Sequence, residues 1–217
     1  MNQKPRTNTE KAAGPTVIIV DDDEDMRGAL ANLFASVGIE VVLFGSAPEL
    51  LAAKLPTTPS CLVLDIRLPG VSGLEFQGQL AKLKIELPIV FMTGHGDIPM
   101  SVRAMKAGAV DFLSKPFRDQ DMLDAVGIAI ERDRIRRASM QSVQALQDNY
   151  RSLTPREAEA MRHVTKGLLN KQVAGEMGLA EITVKIHRGN VMRKMGARSL
   201  ADLVRMAEAL GIHSDKV

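Results

Sequence analysis

The chain carries two hydrophobic rhythms over its first 130 residues and only one afterwards. Val17-Ile18-Ile19-Val20, Val41-Val42-Leu43-Phe44, Cys61-Leu62-Val63-Leu64 and Ile89-Val90-Phe91-Met92 are short, unbroken apolar runs. Bounded by turn residues, such runs read as strands buried on both faces. Between them, apolar residues recur three and four apart, as in Met26, Leu30, Leu33, Phe34 and Val37, which is helical spacing. The pattern predicts strands over 16–20, 40–44, 61–65, 88–92 and 110–113. It predicts helices over 26–37, from a Ser46 cap through Lys54, over 73–83, and from an Asp97 cap to near Gly108, carrying Val102 and Met105. Leu68-Pro69-Gly70 is a turn. Strands and helices alternating at this spacing form repeated βαβ units. The fold class is therefore α/β, a doubly wound five-stranded parallel sheet with helices on both faces.

After Pro116 the strand rhythm stops. A long helix begins near Arg118 and continues through the polar run Glu131 to Arg137 to Met140, Val143 and Leu146. Leu123, Val126, Ile130 and Met140 suggest a coiled-coil seam, but Asp133 and Arg137 interrupt it. The arginine run reads as a solvated helix face. Thr154, Pro155 and Glu157 form a capping box with proline at the first helical position. That helix ends at Gly167, and others run over 170–177 and 181–195 before Gly178 and Gly196. Ser199 and Asp202 form a second capping box, for a last helix that stops at Gly211. Two short helices joined by a tight glycine turn make a helix-turn-helix at about 170–195. The organisation is a flexible tail over 1–14, an α/β domain over 15–130, a helical linker over 131–150 and a small all-α domain over 151–217.

Charge sharpens that division. Residues 1–130 hold 12 Lys and Arg against 16 Asp and Glu, a net −4, whereas residues 131–217 hold 16 against 10, a net +6. An acidic half joined to a basic half suggests a metal or phosphate module tied to a nucleic-acid module, though charge alone fits two ordinary domains equally well. The single cysteine, Cys61, excludes an internal disulfide and a cysteine-based zinc site, and reads as a small core hydrophobe. The apolar runs are too short to span a bilayer and no signal segment opens the chain, so the expectation is a cytoplasmic protein without a membrane partner.

Candidate chemistry gathers at one sheet edge. Asp21 and Asp22 end the first strand, Asp65 the third, Thr93 the fourth, and Lys115 follows the fifth. In an open parallel sheet, ligands bind outside the carboxyl ends of the strands. Clustered carboxylates repel one another, and a hard divalent cation relieves the repulsion. An aspartate can also act as nucleophile toward a phosphoryl group, an anion that needs positive charge to approach. Mg²⁺, the Lys115 ammonium and the Thr93 hydroxyl answer that need.

Val20-Asp21-Asp22-Asp23, Val63-Leu64-Asp65-Ile66-Arg67-Leu68-Pro69-Gly70, Met92-Thr93-Gly94 and Phe112-Leu113-Ser114-Lys115-Pro116-Phe117 resemble the receiver domain of bacterial response regulators, a flavodoxin-like fold. The resemblance implies that Asp65 accepts phosphate from a histidine kinase. It implies that Asp21, Asp22, Asp65 and the main-chain carbonyl of Arg67 serve Mg²⁺, with Asp22 the direct ligand and Asp21 acting partly through water. Thr93 and Phe112 become a switch pair, and the bond before Pro116 is cis. Asp23 and Asp25 are left as solvated charges at a helix start.

On the helix over 181–195, Val184, Val191 and Met195 share one face, Ile186, Gly189 and Arg193 lie opposite, and Lys185 and Asn190 border them. An apolar back and a small basic front suit groove entry. Leu153 to Glu157, Asn170 to Ala174 and Thr183 to Val191 resemble the LuxR-type DNA-binding domain, and the whole chain resembles a FixJ/NarL-type two-component response regulator. That resemblance implies base contacts from Lys185, Ile186 and position 189, and phosphate contacts from Thr183 and the nearby basic residues Arg188 and Arg193. It implies double-stranded DNA, a homodimer when phosphorylated, and RNA polymerase as partners. Two departures stand out: Gly189 offers no side chain, and Ala180 stands where a serine cap is usual, at a cost of about 1 kcal/mol. The competing readings are a phosphorylation-independent DNA-binding regulator with a vestigial receiver, and a receiver whose C-terminal helices dock a protein. The complete acid, threonine and lysine set opposes the first, and the basic helix-turn-helix opposes the second.

Overall fold

The computed structural model of the chain describes residues 14–94 and 98–212. The expected tail, apart from Gly14, and the expected Asp97 cap lie outside them. The chain divides into two compact units, Met1–Arg137 and Ala138–Val217.

In chain order the first unit runs β1 (Thr16–Val20), α1 (Glu24–Ser36), β2 (Glu40–Phe44), α2 (Ala47–Ala52), β3 (Ser60–Asp65), β4 (Arg67–Leu68), β5 (Val71–Ser72), α3 (Gly73–Lys82), β6 (Ile89–Thr93), α4 (Ile98–Lys106) and β7 (Asp111–Ser114). Then α5 (Asp119–Arg151) begins. Five strands pair in parallel in the order β2-β1-β3-β6-β7, while β4 and β5 form a small antiparallel hairpin on the turn at Pro69-Gly70. The chain leaves β1 toward β2 on one side and returns to β3 on the other. The resulting switch point opens a crevice at the carboxyl ends of β1 and β3.

Strand alternation builds a core on each face. Ile18, Val20, Leu62, Leu64 and Phe91 pack under α2, α3 and α4 through Leu50, Phe76, Leu80 and Ala104. Val17, Ile19, Cys61, Val63 and Val90 pack under α1 and α5 through Leu30, Phe34, Met122, Val126 and Ile130. Val126 and Ile130, with the adjoining Leu123, are therefore core of the sheet rather than the seam of a coiled coil, and Met140 is exposed. Short-range spacing cannot tell the two uses of an apolar stripe apart.

Several ends differ from expectation for local reasons. Asp23 is not merely a solvated charge: it is the α1 N-cap, its carboxylate accepting from the Asp25 and Met26 N–H groups. The Ser46 hydroxyl donates to Glu49 Oε1 instead of capping the backbone, and α2 ends at Ala52 as Ala53 becomes extended ahead of Pro56. In the polar run of α5, Asp133 is fully buried rather than solvated. It accepts from the Ser60 N–H at 2.9 Å and from the guanidinium groups of Arg136 and Arg137. Arg137 also donates to the carbonyls of Pro56 and Thr57. Burial alone would raise the Asp133 pKa, but the bonds from Arg137, Ser60 and Arg136 outweigh it and lower it.

The second unit holds the end of α5, α6 (Pro155–Thr165), α7 (Asn170–Met177), α8 (Glu181–Met195) and α9 (Leu200–Ala209). Its core joins Met161, Val164, Val173, Val184, Val191, Met195 and Leu203. The Thr154–Glu157 capping box is formed as expected. The one at Ser199 is not closed: Ser199 accepts from the Asp202 N–H, but the Asp202 carboxylate takes the N–H of Arg198. Gly178 and Gly196, at φ 63° and 72°, end α7 and α8 in the left-handed conformation. Among the described residues no helix is long and apolar enough to cross a membrane.

Candidate metal centre and nucleic-acid interface

Four of the five parallel strands deliver a polar group to the same edge. Asp21 follows β1, Asp65 ends β3, Thr93 ends β6 and Lys115 follows β7. Carboxylate oxygens of Asp21, Asp22 and Asp65 lie within 4.8 Å of one another; Asp21 and Asp65 are buried and Asp22 is exposed. Oxygen donors from three acids, one open to solvent, fit a hard divalent cation.

The buried pair is unequal. Asp21 is satisfied throughout: Oδ1 accepts from the Asp23 N–H, Oδ2 from Lys115 Nζ at 2.8 Å, and its carbonyl from Arg27 at 2.7 Å. Asp65 Oδ2 stands 3.8 Å from Lys115 Nζ, and Asp65 Oδ1 is buried with no hydrogen-bond partner. Desolvation therefore pushes the Asp65 carboxyl above the ordinary range. Lys115 pulls against it, Asp21 adds to it, and the Arg67 and Ile66 N–H groups oppose it. A buried acceptor without a partner beside a half-committed ammonium is poised to take a new group.

The surroundings hold Asp65 in place. Gly73, the first residue of α3, donates its N–H to the Ile66 carbonyl at 2.8 Å. A Cβ on Gly73 would meet the Asp65 carbonyl at 2.7 Å, so only glycine lets α3 approach this closely. Thr93 is fully buried, Phe112 is half-buried against the core on the α2–α4 face, and the Arg67 side chain is exposed at the start of the β4–β5 hairpin. The Lys115–Pro116 peptide is cis.

In the second unit, Lys185, Ile186, Gly189 and Arg193 are exposed on α8, opposite the buried Val184, Val191 and Met195. Thr183 is half-buried. Arg188 is also half-buried, and its guanidinium donates to Asn170 Oδ1 at 3.1 Å, tying α8 to the start of α7. Ala180 stands at the α8 N-cap without a side-chain bond, while its carbonyl accepts from the Thr183 N–H at 2.9 Å.

Residues 17–127 match the response regulator receiver domain, and residues 151–207 match the bacterial regulatory proteins of the luxR family. Nodulation protein W of Bradyrhizobium diazoefficiens is 61% identical over 208 residues, 96% of this chain and 92% of that protein. The chain belongs to the response regulators. It joins a receiver domain to a LuxR-type DNA-binding domain, and its relatives are transcriptional regulators. Transcriptional regulatory protein FixJ of Rhizobium meliloti is 42% identical, covering 90% of this chain and 96% of that one. Among solved structures, the response regulator StyR aligns with TM-score 0.82 and 49% identity over 90% of this chain and 99% of that one. Full-length FixJ from B. japonicum aligns with TM-score 0.54 and 39% identity over 91% and 97%. As a response regulator the chain is a signalling and DNA-binding protein rather than an enzyme acting on metabolites. Its receiver implies a histidine kinase partner, its second domain implies DNA, and receivers bind Mg²⁺ at an acidic pocket of the kind formed here.

Three residues escaped the sequence reading. Arg27 and Gly73 sit on helix faces with no local pattern to mark them. Asp133 did carry a signal, an acid followed by arginines three and four positions on, the spacing of helical ion pairs.

Proposed function

We propose that a histidine kinase phosphorylates Asp65 in a Mg²⁺-dependent reaction, and that the product dimerises and binds specific DNA to control transcription in the cytoplasm. The observation that carries this reading is the unpartnered buried Oδ1 of Asp65 beside Lys115. An Asp65 oxygen attacks the phosphorus of a phosphohistidine, forming an O–P bond as the N–P bond breaks and the imidazole departs. Asp21 and Asp22, with the Arg67 carbonyl, would hold Mg²⁺, which neutralises charge on the phosphoryl oxygens when bound. Lys115 gives its ammonium to one phosphoryl oxygen and Thr93 its hydroxyl to another, and that turn of Thr93 lets Phe112 move inward. Positioning and charge stabilisation are most of what such a transfer requires.

Lys185 and Ile186 read base edges in the major groove, with Gly189 on the same face lacking a side chain to add, and Thr183, Arg188 and Arg193 meet phosphates. Dimers bind paired half-sites, with RNA polymerase as a downstream partner. Acetyl phosphate with Mg²⁺ tests the first half. Wild type gains an acid-labile label and Asp65→Asn gains none; labelling of both, or an acid-stable label, contradicts the assignment. Lys185→Ala tests the second. It weakens specific binding by about 1–3 kcal/mol while binding to random DNA changes less, as a competition assay at fixed salt would show.

A further inference from the structure

We infer that Arg27 is a positioning residue for the divalent-cation site, acting through the peptide that joins Asp21 to Asp22. The inference rests on the Mg²⁺ reading above. Arg27 lies half-buried on α1, and its Nη1 reaches back six residues to donate to the Asp21 carbonyl at 2.7 Å. The Asp21 N–H is held from the other side by the Phe44 carbonyl at 3.3 Å, and its carboxylate by Lys115 and the Asp23 N–H. Every polar atom of Asp21 is thereby engaged, and the bond from Arg27 is the one that sets the plane of the peptide leading into Asp22. Asp22 is exposed, and among the described residues none donates to its carboxylate. The backbone beneath Asp22 is what orients it.

Arg27 passes beside the neighbouring turn. Its Nη1 and the Glu49 carboxylate come together over Gly45, where an added Cβ would lie 3.7 Å from the one and 3.6 Å from the other. Glu49 is anchored by the Gly45 N–H at 3.0 Å and the Ser46 hydroxyl at 2.8 Å. Glu49 thus offers Arg27 a nearby opposite charge without pairing to it, and the bond to the Asp21 carbonyl is the one that fixes the guanidinium. Groups behind the ligands orient metal ligands in this way generally, and their loss costs about 10–100-fold in affinity.

The alternative role has the opposite sign. A guanidinium that acted only as a nearby positive charge would repel the cation, so removing it would tighten binding. Mg²⁺ titration of the full-length chain by calorimetry separates the two, with urea unfolding run alongside. Arg27→Met should raise the Mg²⁺ Kd by about tenfold with little change in unfolding midpoint. Arg27→Lys, which keeps the charge with a shorter reach, should fall between Met and wild type. An unchanged or lowered Kd in both variants overturns the positioning role while leaving the Mg²⁺ reading intact. Wild type without saturable Mg²⁺ binding overturns both.

Discussion

Each unit of this response regulator buries a carboxylate beside a lysine, and the two pairs behave in opposite ways. Asp65 and Glu157 are both nearly hidden from solvent, at 8% and 4% exposure, but desolvation dominates at Asp65 and hydrogen bonds dominate at Glu157. Their partners differ accordingly. Glu157 Oε2 accepts from Lys194 Nζ at 2.6 Å and from the Thr154 N–H at 2.8 Å, while Lys194 also donates to the Ser152 carbonyl. The lysine and the Thr154 N–H hold Glu157 well below the ordinary range, at about 2. Lys115 instead gives its short bond to Asp21, stands 3.8 Å from Asp65, and leaves Asp65 pushed upward by burial. A closed pair fastens α8 to the start of α6; an open pair leaves a buried carboxylate oxygen without a partner. Asp133, with its arginines and the Ser60 N–H, is of the closed kind. A buried charge that is fully bonded supports the fold, and one left short of partners marks chemistry.

The largest test of this contrast is to open the closed pair. Lys194→Met strips Glu157 of its counter-charge and should destabilise the second unit by about 1–3 kcal/mol, the cost of leaving a part-buried charged acceptor short of a partner. NMR-monitored urea unfolding, read on that unit's amides, checks it; a loss no greater than for an exposed lysine would mean the pair is not structural. Next in size is the acid profile. Glu157 has a lowered folded pKa, so its contribution is present above its unfolded value of 4.5 and is lost as pH falls toward about 2. Glu157→Gln should flatten that part of the profile, and a variant that keeps the wild-type slope would place the acid sensitivity elsewhere. The smallest effect comes from the open pair. Asp65 has a raised folded pKa, so its charged form opposes folding once pH rises through the carboxylate range. Asp65→Asn should make the receiver slightly more stable at neutral pH, with the gain vanishing in acid. A destabilised Asp65→Asn at pH 7 would mean that Asp65 belongs with Glu157.

Much of this was legible in the residues. Val17–Val20 running into acids, Asp65 closing a buried run, Thr93 and Lys115 at later strand ends, and Pro155 and Gly196 at helix ends all act within a few residues of one another. Period, turn chemistry and capping are short-range, so a single sequence carries them. What stayed hidden depends on partners distant in the chain. Asp133 looks solvated until the Ser60 N–H, 73 positions away, is placed against it. The Thr154–Glu157 box was readable, but Lys194, 37 positions on, was not part of it. Arg188 read as a phosphate contact, while the structure also bonds it to Asn170, 18 positions back.

The sequence by itself determined the alternating βαβ order, the glycine stops of the helix-turn-helix, and the sheet edge on which Asp21, Asp22, Asp65, Thr93 and Lys115 meet. Those follow from side-chain periodicity and backbone preference, which need no knowledge of the rest of the chain. The tertiary structure alone decided which buried carboxylates are satisfied and which is left open. Hydrogen bonding and desolvation depend on groups that only the completed fold brings within 3 Å or so.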